Sequence, residues 1–285
     1  MDHVAPCYII TLGIIMPELP EVETICQGLK PKLIGHSFDN ITVLQPSLRC
    51  NVPQDIYSLC HSPIHTITRR AKYILVYTTS DKVLIIHLGM SGRLRSSQLC
   101  TKHDHLIFSI SSGETLYYHD PRRFGTVTWA QSQHIDAHPF FSNLGVEPLS
   151  LSFTRERLYE GLKNSRMEIK QRLLNQQFIV GIGNIYASEA LFDAGISPLR
   201  LSCSLTFEEA TRLRNSIQFI LTQAITAGGT TLRDYKNVEG EMGYFQHNFS
   251  VYNRNNHYCK KCKITTVRKL TQGQRSTYFC PNCQN

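Results

Sequence analysis

Three residues near the start of the chain have the types and spacing for amine chemistry. Pro17 follows Met16, Glu18 follows Pro17, and Glu21 lies three positions further on. Methionine is readily removed before proline. A chain opened at Pro17 would carry a secondary α-amine, and such amines titrate at about 7.7–8.0. That amine is a nucleophile near neutrality, where a lysine is mostly protonated. Its attack on a sugar or carbonyl carbon gives an iminium. Glu18 and Glu21 would then stand beside it as proton donors or acceptors. The same residues also suit a helix start, where proline costs no hydrogen bond and carboxylates meet the positive end of the helix dipole.

A second constellation lies at the other end. Cys259 and Cys262 form one C-x-x-C pair and Cys280 and Cys283 another, separated by seventeen residues. Four thiolates in two close pairs can close a tetrahedron around one Zn²⁺ with no open position, so the expected site is structural. It would fold a short hairpin too small to hold a core of its own. Within it, TQGQRST (271–277) offers a turn with Arg275 near the tip. A basic tip fits a phosphate backbone, although zinc ribbons also serve protein contacts. The other cysteines, Cys7, Cys26, Cys50, Cys60, Cys100 and Cys203, are scattered singly and read as small core residues. This usage suits a reducing cytoplasm rather than a disulfide framework.

The elements that must position these groups fall into three runs. Val22, Ile25, Leu29 and Leu33 recur at helical spacing, predicting a helix over 21–34. Then AKYILVYT (71–78), KVLIIHL (82–88), HLIFSIS (105–111), ETLYYHD (114–120) and TVTWA (126–130) read as short strands separated by turn residues. They predict an antiparallel sandwich or barrel behind one leading helix. After NLGVEPLS (143–150) the pattern becomes helical. NIYASEALFDAG (184–195) ends at a glycine C-cap, and Thr206 to Glu209 form a capping box opening a long helix that stops at Gly228-Gly229. Beyond Glu241 there is no acidic residue, against Arg254, Lys260, Lys261, Lys263, Arg268, Lys269 and Arg275.

The whole chain has 285 residues, 41% hydrophobic and 18% charged, which fits a multidomain globular protein with proper cores. Its 30 Lys and Arg exceed its 22 Asp and Glu, a formal charge of +8 that favours anionic partners. No stretch reaches membrane-spanning length, and the apolar run from Cys7 to Ile15 lacks the flanks of a signal peptide. An intracellular protein with no membrane contact is expected.

Eight blocks, in order, give a specific resemblance. They are PELPEVET (17–24), RRAKY (69–73), HLGMSGRLR (87–95), KHDH (102–105), DPRRFG (120–125), GIGNIYASEALF (181–192), GGTTLRDY (228–235) and QRSTYFCPNCQ (274–284). Together with the cysteine pairs they resemble the formamidopyrimidine-DNA glycosylases, bifunctional enzymes of base excision repair, from Met16 to the C-terminus. The resemblance implies an α+β, multidomain fold. Residues 16–148 would be an N-terminal β-sandwich catalytic domain with a leading helix. Residues 149–245 would be a helix–two-turns–helix domain and 246–285 a zinc finger. Residues 1–15 would be a non-native extension, with Met16 the translation start.

The resemblance also implies roles. Pro17 would be the nucleophile and Glu18 the acid. Lys72 would lie beside the damaged base and its phosphate, and Arg275 would grip phosphate and assist elimination. Met90, Arg122 and Phe124 would fill the void left by a flipped nucleotide. His103, Arg122, Arg166, Asn184 and Arg275 would lie along the DNA backbone. Asn184 would offer phosphate both its side chain and a helix N-terminus. The partner would be double-stranded DNA with oxidised bases, the cofactor one structural Zn²⁺, and the state a monomer. The Pro-Glu-Leu-Pro start, DPRRF and HLGMSG favour oxidised purines, 8-oxoguanine and formamidopyrimidines, over the pyrimidine lesions of the endonuclease VIII branch. Two departures stand out. Lys263 follows the second cysteine and Asn253 sits in VYNRN, where the family usually has glycine. A non-catalytic damaged-DNA-binding protein is the alternative if residues 1–15 stay attached and turn the Pro17 amine into an amide. A plain zinc-ribbon protein would leave the Met-Pro-Glu start and RRAKY unexplained.

Overall fold

A computed structural model of the protein describes residues 17–97, 99–230 and 245–285. The expectations for residues 1–15, for Met16 and for the loop between Tyr235 and Tyr244 lie outside the described residues.

Helix α1 runs over Leu19–Leu33, two residues earlier than its apolar spacing predicted. Glu18 and Glu21 form a capping box, and Pro20 sits in the first turn, where its missing N–H has no helical partner to lose. Strands β1 (Phe38–Val43), β2 (Ile64–Arg70), β3 (Tyr73–Thr78), β4 (Lys82–His87), β5 (Arg93–Ser96), β6 (Asp104–Ile110), β7 (Thr115–His119) and β8 (Thr126–Gln131) follow. They form two four-stranded antiparallel sheets, ordered β1-β6-β7-β5 and β2-β3-β4-β8. Ile41, Leu94, Phe108 and Tyr118 from one sheet meet Ile67, Ile74, Ile86 and Val127 from the other in one buried core. This is the expected sandwich, with Val22, Ile25, Leu29 and Leu33 of α1 packed into the same core. The outer face of β3 and β4 is covered as well, where Leu75, Val83 and Ile85 pack with Phe141. Burial on both faces explains why these two strands read as continuous apolar runs.

Helices α2 (Arg155–Lys163), α3 (Ile169–Leu174), α4 (Asn184–Asp193) and α5 (Phe207–Thr226) come next. The hairpin β9 (Arg268–Gln272) and β10 (Arg275–Phe279) closes the chain. The helices and the hairpin share one core, in which Ile185, Leu191, Leu213 and Ile217 lie with Val251, Val267, Tyr278 and Cys280. The finger therefore leans on the helices for burial it cannot supply itself. Leu19 belongs to this second core while the rest of α1 belongs to the first. The N-terminal end of α1 thus joins the two halves, and Glu18 sits at that joint.

The scattered cysteines correct one expectation. Cys26 is a core residue, but Cys50, Cys100 and Cys203 are exposed and Cys60 is half-buried. Cys7 lies outside the described residues. No helix among the described residues is long and apolar enough to cross a membrane.

Candidate active site

Glu18 is 3% exposed, and its carboxylate is held by the start of α4. It accepts from the backbone N–H groups of Gly183 at 2.7 Å, Ile185 at 2.9 Å and Tyr186 at 3.3 Å. The same segment captures the next residue, since Leu19 N–H donates to Gly181 O at 3.0 Å. Glycine is required at 183, where a Cβ would overlap the Glu18 carboxyl carbon. Three of the N–H groups at this helix start therefore serve a carboxylate, those of Gly183, Ile185 and Tyr186. Burial drives the Glu18 pKa up to about 7, while the charge of Lys72 and the backbone N–H groups oppose the rise.

Glu21 is a brace. One of its oxygens accepts the Glu18 N–H at 2.9 Å. The other accepts the Tyr186 hydroxyl at 2.6 Å and both the N–H and hydroxyl of Thr230 at 2.9 Å. Such a spent carboxylate orients its neighbour rather than shuttling protons. Burial raises its pKa, against these donors.

Lys72 occupies the two-residue turn between β2 and β3, after Ala71 in the left-handed region (φ 52°). It is 9% exposed, and burial lowers its pKa while Glu18 works to raise it. Glu147, from the segment that follows the sandwich, holds the turn. Its carboxylate accepts from Ala71 N–H at 2.6 Å, Arg69 at 2.7 Å and Arg70 at 3.0 Å. Burial pushes the Glu147 carboxyl up, but the two guanidiniums outweigh it and hold it below the usual range.

Arg275 is exposed at the start of β10, directly after a two-residue turn in which Gly273 (φ 53°) and Gln274 (φ 62°) are both left-handed. That is the turn that matches the twist of a hairpin. Arg275 also acts on the electrostatics of Lys72, whose pKa it depresses. Asn184 does not extend free toward a phosphate. Its amide donates to Ser276 O at 2.9 Å and its oxygen accepts from Lys170 Nζ at 2.7 Å. Lys170 also donates to Ser276 O at 3.1 Å and Thr277 Oγ1 at 2.7 Å. Burial lowers its pKa to about 7. Lys170 thus pins the finger hairpin to α3 and α4. Sequence reading misses it, since a lone lysine in NSRMEIK carries no spacing signal. Arg166 is exposed between α2 and α3, away from these bonds.

Met90, Arg122 and Phe124 come from two loops packed backbone to backbone. Gly89 is left-handed (φ 62°), and a Cβ there would meet the carbonyl carbon of Phe124 at 2.5 Å. Phe124 is 43% exposed, and the Arg122 guanidinium lies 4.6 Å from its ring centroid. Met90 is half-buried. His103, half-buried, meets the ring of His119 edge-on at 5.9 Å.

The four finger cysteines place their sulfurs within 4.8 Å of one another, with Cys259–Cys283 and Cys262–Cys280 both at 3.8 Å. A tetrahedron with Zn–S of about 2.3 Å requires sulfurs about 3.8 Å apart, so the cage fits one structural Zn²⁺. Lys263 (φ 57°) and Asn253 (φ 56°) are both left-handed, a conformation that glycine adopts without a Cβ penalty, which is the physical reason to expect glycine there.

The fold and site define a class: a sandwich and a helical domain joined at a buried Pro-Glu corner, with a zinc hairpin alongside. Residues 16–127 match the formamidopyrimidine-DNA glycosylase N-terminal domain, 144–236 the H2TH domain of the same enzymes, and 265–285 the zinc finger found in FPG and IleRS. The formamidopyrimidine-DNA glycosylase of Laribacter hongkongensis is 45% identical over 273 residues, covering 94% of this chain and all of its own. That of Wolbachia pipientis is 46% identical over 277 residues, covering 95% and all of its own. The chain belongs to the formamidopyrimidine-DNA glycosylase family. Among solved structures, the MutM (Fpg) protein of Thermus thermophilus superposes with a TM-score of 0.85 at 37% identity, over 94% of this chain and 98% of that one. Lactococcus lactis Fpg with abasic-site DNA gives 0.87 at 32%, over 94% and 99%.

Proposed function

We propose that the protein is a DNA glycosylase of base excision repair that removes oxidised purines, 8-oxoguanine and formamidopyrimidines, and then cuts the strand as a lyase. The observation that carries this reading is Glu18. A carboxyl buried at a helix N-terminus, beside Pro17, and titrating near 7 is suited to hold a proton at working pH and release it.

In this reading Met16 is removed and the free Pro17 amine attacks C1′ of the damaged nucleoside. The bond from C1′ to the base breaks, and the base leaves with the electron pair and gains a proton. Glu18 protonates the sugar ring oxygen, the ring opens, and nitrogen and C1′ become an iminium. The iminium acidifies C2′. Loss of that proton expels the 3′ phosphate, and a second elimination expels the 5′ phosphate. Lys72, whose ammonium form Glu18 favours against the cost of burial, faces the damaged nucleotide and its phosphate. Arg275 steadies the phosphate of the second elimination. Met90, Arg122 and Phe124 enter the duplex to replace the flipped nucleotide, and His103 and Arg166 track its backbone. Asn184 contributes by fixing the finger hairpin, and its route to DNA passes through the Ser276 segment. The active unit is a monomer built from 16–148, 149–245 and 246–285, and it acts inside the cell on double-stranded DNA.

The test is borohydride trapping on an 8-oxoguanine·cytosine duplex, with protein started at Met16 beside protein started at Met1. A covalent adduct with the Met16 form alone supports the Pro17 amine as nucleophile. Adduct with neither leaves a damaged-DNA-binding protein. Equal adduct with both, the extension being intact by mass, moves the nucleophile to an internal lysine, Lys72 first. Faster excision of oxidised pyrimidines than of 8-oxoguanine would overturn the purine preference.

A further inference from the structure

We infer that Asp120 is the positioning residue that fixes Met90, Arg122 and Phe124 as one rigid wedge, so that base excision from a duplex depends on it and chemistry on an unpaired strand does not. This rests on the reading of those three side chains as the group that enters the duplex.

Asp120 is fully buried (0% exposed), and among the described residues no cation pairs with its carboxylate. The charge is met by donors from both loops. Oδ1 accepts from Ser91 Oγ at 2.5 Å and from Arg122 N–H at 3.3 Å. Oδ2 accepts from Gly125 N–H at 2.8 Å. Ser91 follows Met90, and Gly125 follows Phe124. One carboxylate therefore reaches the chain neighbour of two wedge side chains and the backbone of the third. Ser91 Oγ closes the set by accepting from Arg122 N–H at 3.2 Å.

The backbone of Asp120 extends the unit. Its N–H donates to His103 O at 2.9 Å, and its carbonyl accepts from Arg123 N–H at 3.1 Å and is bonded to His105 Nε2 at 2.7 Å. Arg123 is left-handed (φ 55°), a strained conformation that persists where surrounding contacts enforce it. A buried carboxylate without a cation is costly unless well hydrogen-bonded, and an apolar residue would fill the space at lower cost. What the carboxylate supplies is three acceptor directions at one point, which no apolar side chain gives.

An amide cannot replace it. In Asp120→Asn one oxygen becomes NH₂ and faces the backbone N–H of either Gly125 or Arg122, donor against donor. The backbone bonds to His103 and His105 remain, so the contacts beside an unpaired strand persist. The wedge would then be mispositioned, and displacements of this kind are costly where several groups must enter a duplex together.

The experiment compares wild type, Asp120→Asn and Ser91→Ala, all started at Met16. One substrate is an 8-oxoguanine·cytosine duplex under single turnover, and the other a single-stranded oligonucleotide with one abasic site. 2-Aminopurine next to the lesion reports wedge entry. The expected result for Asp120→Asn is a duplex rate lower by roughly 10- to 100-fold, a slowed 2-aminopurine signal, and single-strand cleavage within about twofold of wild type. Ser91→Ala, which removes the bonds of Ser91 Oγ to Asp120 and Arg122 but leaves the carboxylate its two backbone donors, should show the same split at smaller amplitude and keeps the test open if Asp120→Asn does not fold. An equal loss on both substrates, or none on the duplex, overturns the positioning role. Wild type that cleaves neither substrate overturns the glycosylase reading itself, a result distinct from failure of the variant alone.

Discussion

Glu18 and Gly183 lie 165 positions apart and are joined by a 2.7 Å hydrogen bond from backbone to carboxylate. The bond has no room for a side chain at 183, where a Cβ would overlap the Glu18 carboxyl. The residue next to the proposed nucleophile is thereby fixed to the helical half of the molecule. Gly183→Ala must push Glu18 or the start of α4 aside. The expected outcome is at least a roughly tenfold loss of single-turnover excision, equivalent to about 1.4 kcal/mol of barrier. Stability should fall too, read as a lower melting temperature.

The pH dependence follows from the burial of Glu18. Its acid form persists to about pH 7, so the rate falls as pH rises through that value. The Pro17 amine must lose its proton, which gives the opposing limb of a bell-shaped kcat/KM profile. Lys72 draws the Glu18 pKa down. Lys72→Gln should therefore lower the amplitude and move the alkaline limb to higher pH, measured over roughly pH 5 to 9. Stability has its own sign. The folded pKa is raised, so the contribution of Glu18 is complete below the unfolded value of 4.5 and is lost as pH rises through about 7.

Glu147 holds the Lys72 turn without touching the proposed chemistry. Removing its charge leaves Arg69 and Arg70 less well paired and Ala71 N–H less tightly bound in its left-handed turn. Glu147→Gln should cost about 1–3 kcal/mol of stability. Lys72 should then lose its fixed position, so excision falls further than the melting temperature alone explains. Urea unfolding beside single-turnover kinetics separates the two effects.

Much of this arrangement was legible in the sequence, and the reasons for the rest are physical. The capping box at Thr206 and Glu209 opens α5 as predicted, because caps are local. The zinc ligands follow from spacing. Strands β1, β2 and β5 escape prediction: FDNITV and IHTITRR are half polar, and RLRS is too short for alternation to register. The partners of Glu18 are backbone N–H groups, which no residue type reveals. Lys170 and Asp120 are buried polar groups whose donors and acceptors come from segments far along the chain or in another loop. The motif around Asn184 points to DNA, yet its side chain folds inward onto the finger.

Zinc removal should act on DNA binding through the hairpin. Arg275, Ser276 and Thr277 keep their places because the cage fixes the strand that leads to Cys280. Chelation, or Cys262→Ser, should release one zinc per chain and free Lys170 from Ser276 and Thr277. Affinity for duplex should drop, and the slope of log K against log salt should become shallower by about 0.9 for each phosphate that the finger ceases to neutralise. Zinc analysis by mass spectrometry and titrations at several salt concentrations check this.

Two of the left-handed non-glycine residues of the finger, Lys263 and Asn253, make a contrasting pair. Lys263 N–H donates to Cys259 O at 3.0 Å, which closes the turn around the first cysteine pair and enforces its φ of 57°. A lysine with a Cβ meets a penalty of about 1–2 kcal/mol there. Lys263→Gly relieves it but loosens the unfolded chain by about 0.5–1 kcal/mol. The expected net is a gain of about 0.5 kcal/mol, seen in urea unfolding of the zinc-loaded protein as a higher midpoint with unchanged slope. Asn253→Gly should change the midpoint little, because asparagine adopts this conformation more readily. A lower midpoint on Lys263→Gly would mean that lysine is kept for its charge on the basic face of the finger, and Lys263→Gln, which keeps the Cβ and drops the charge, would then reproduce that decrease.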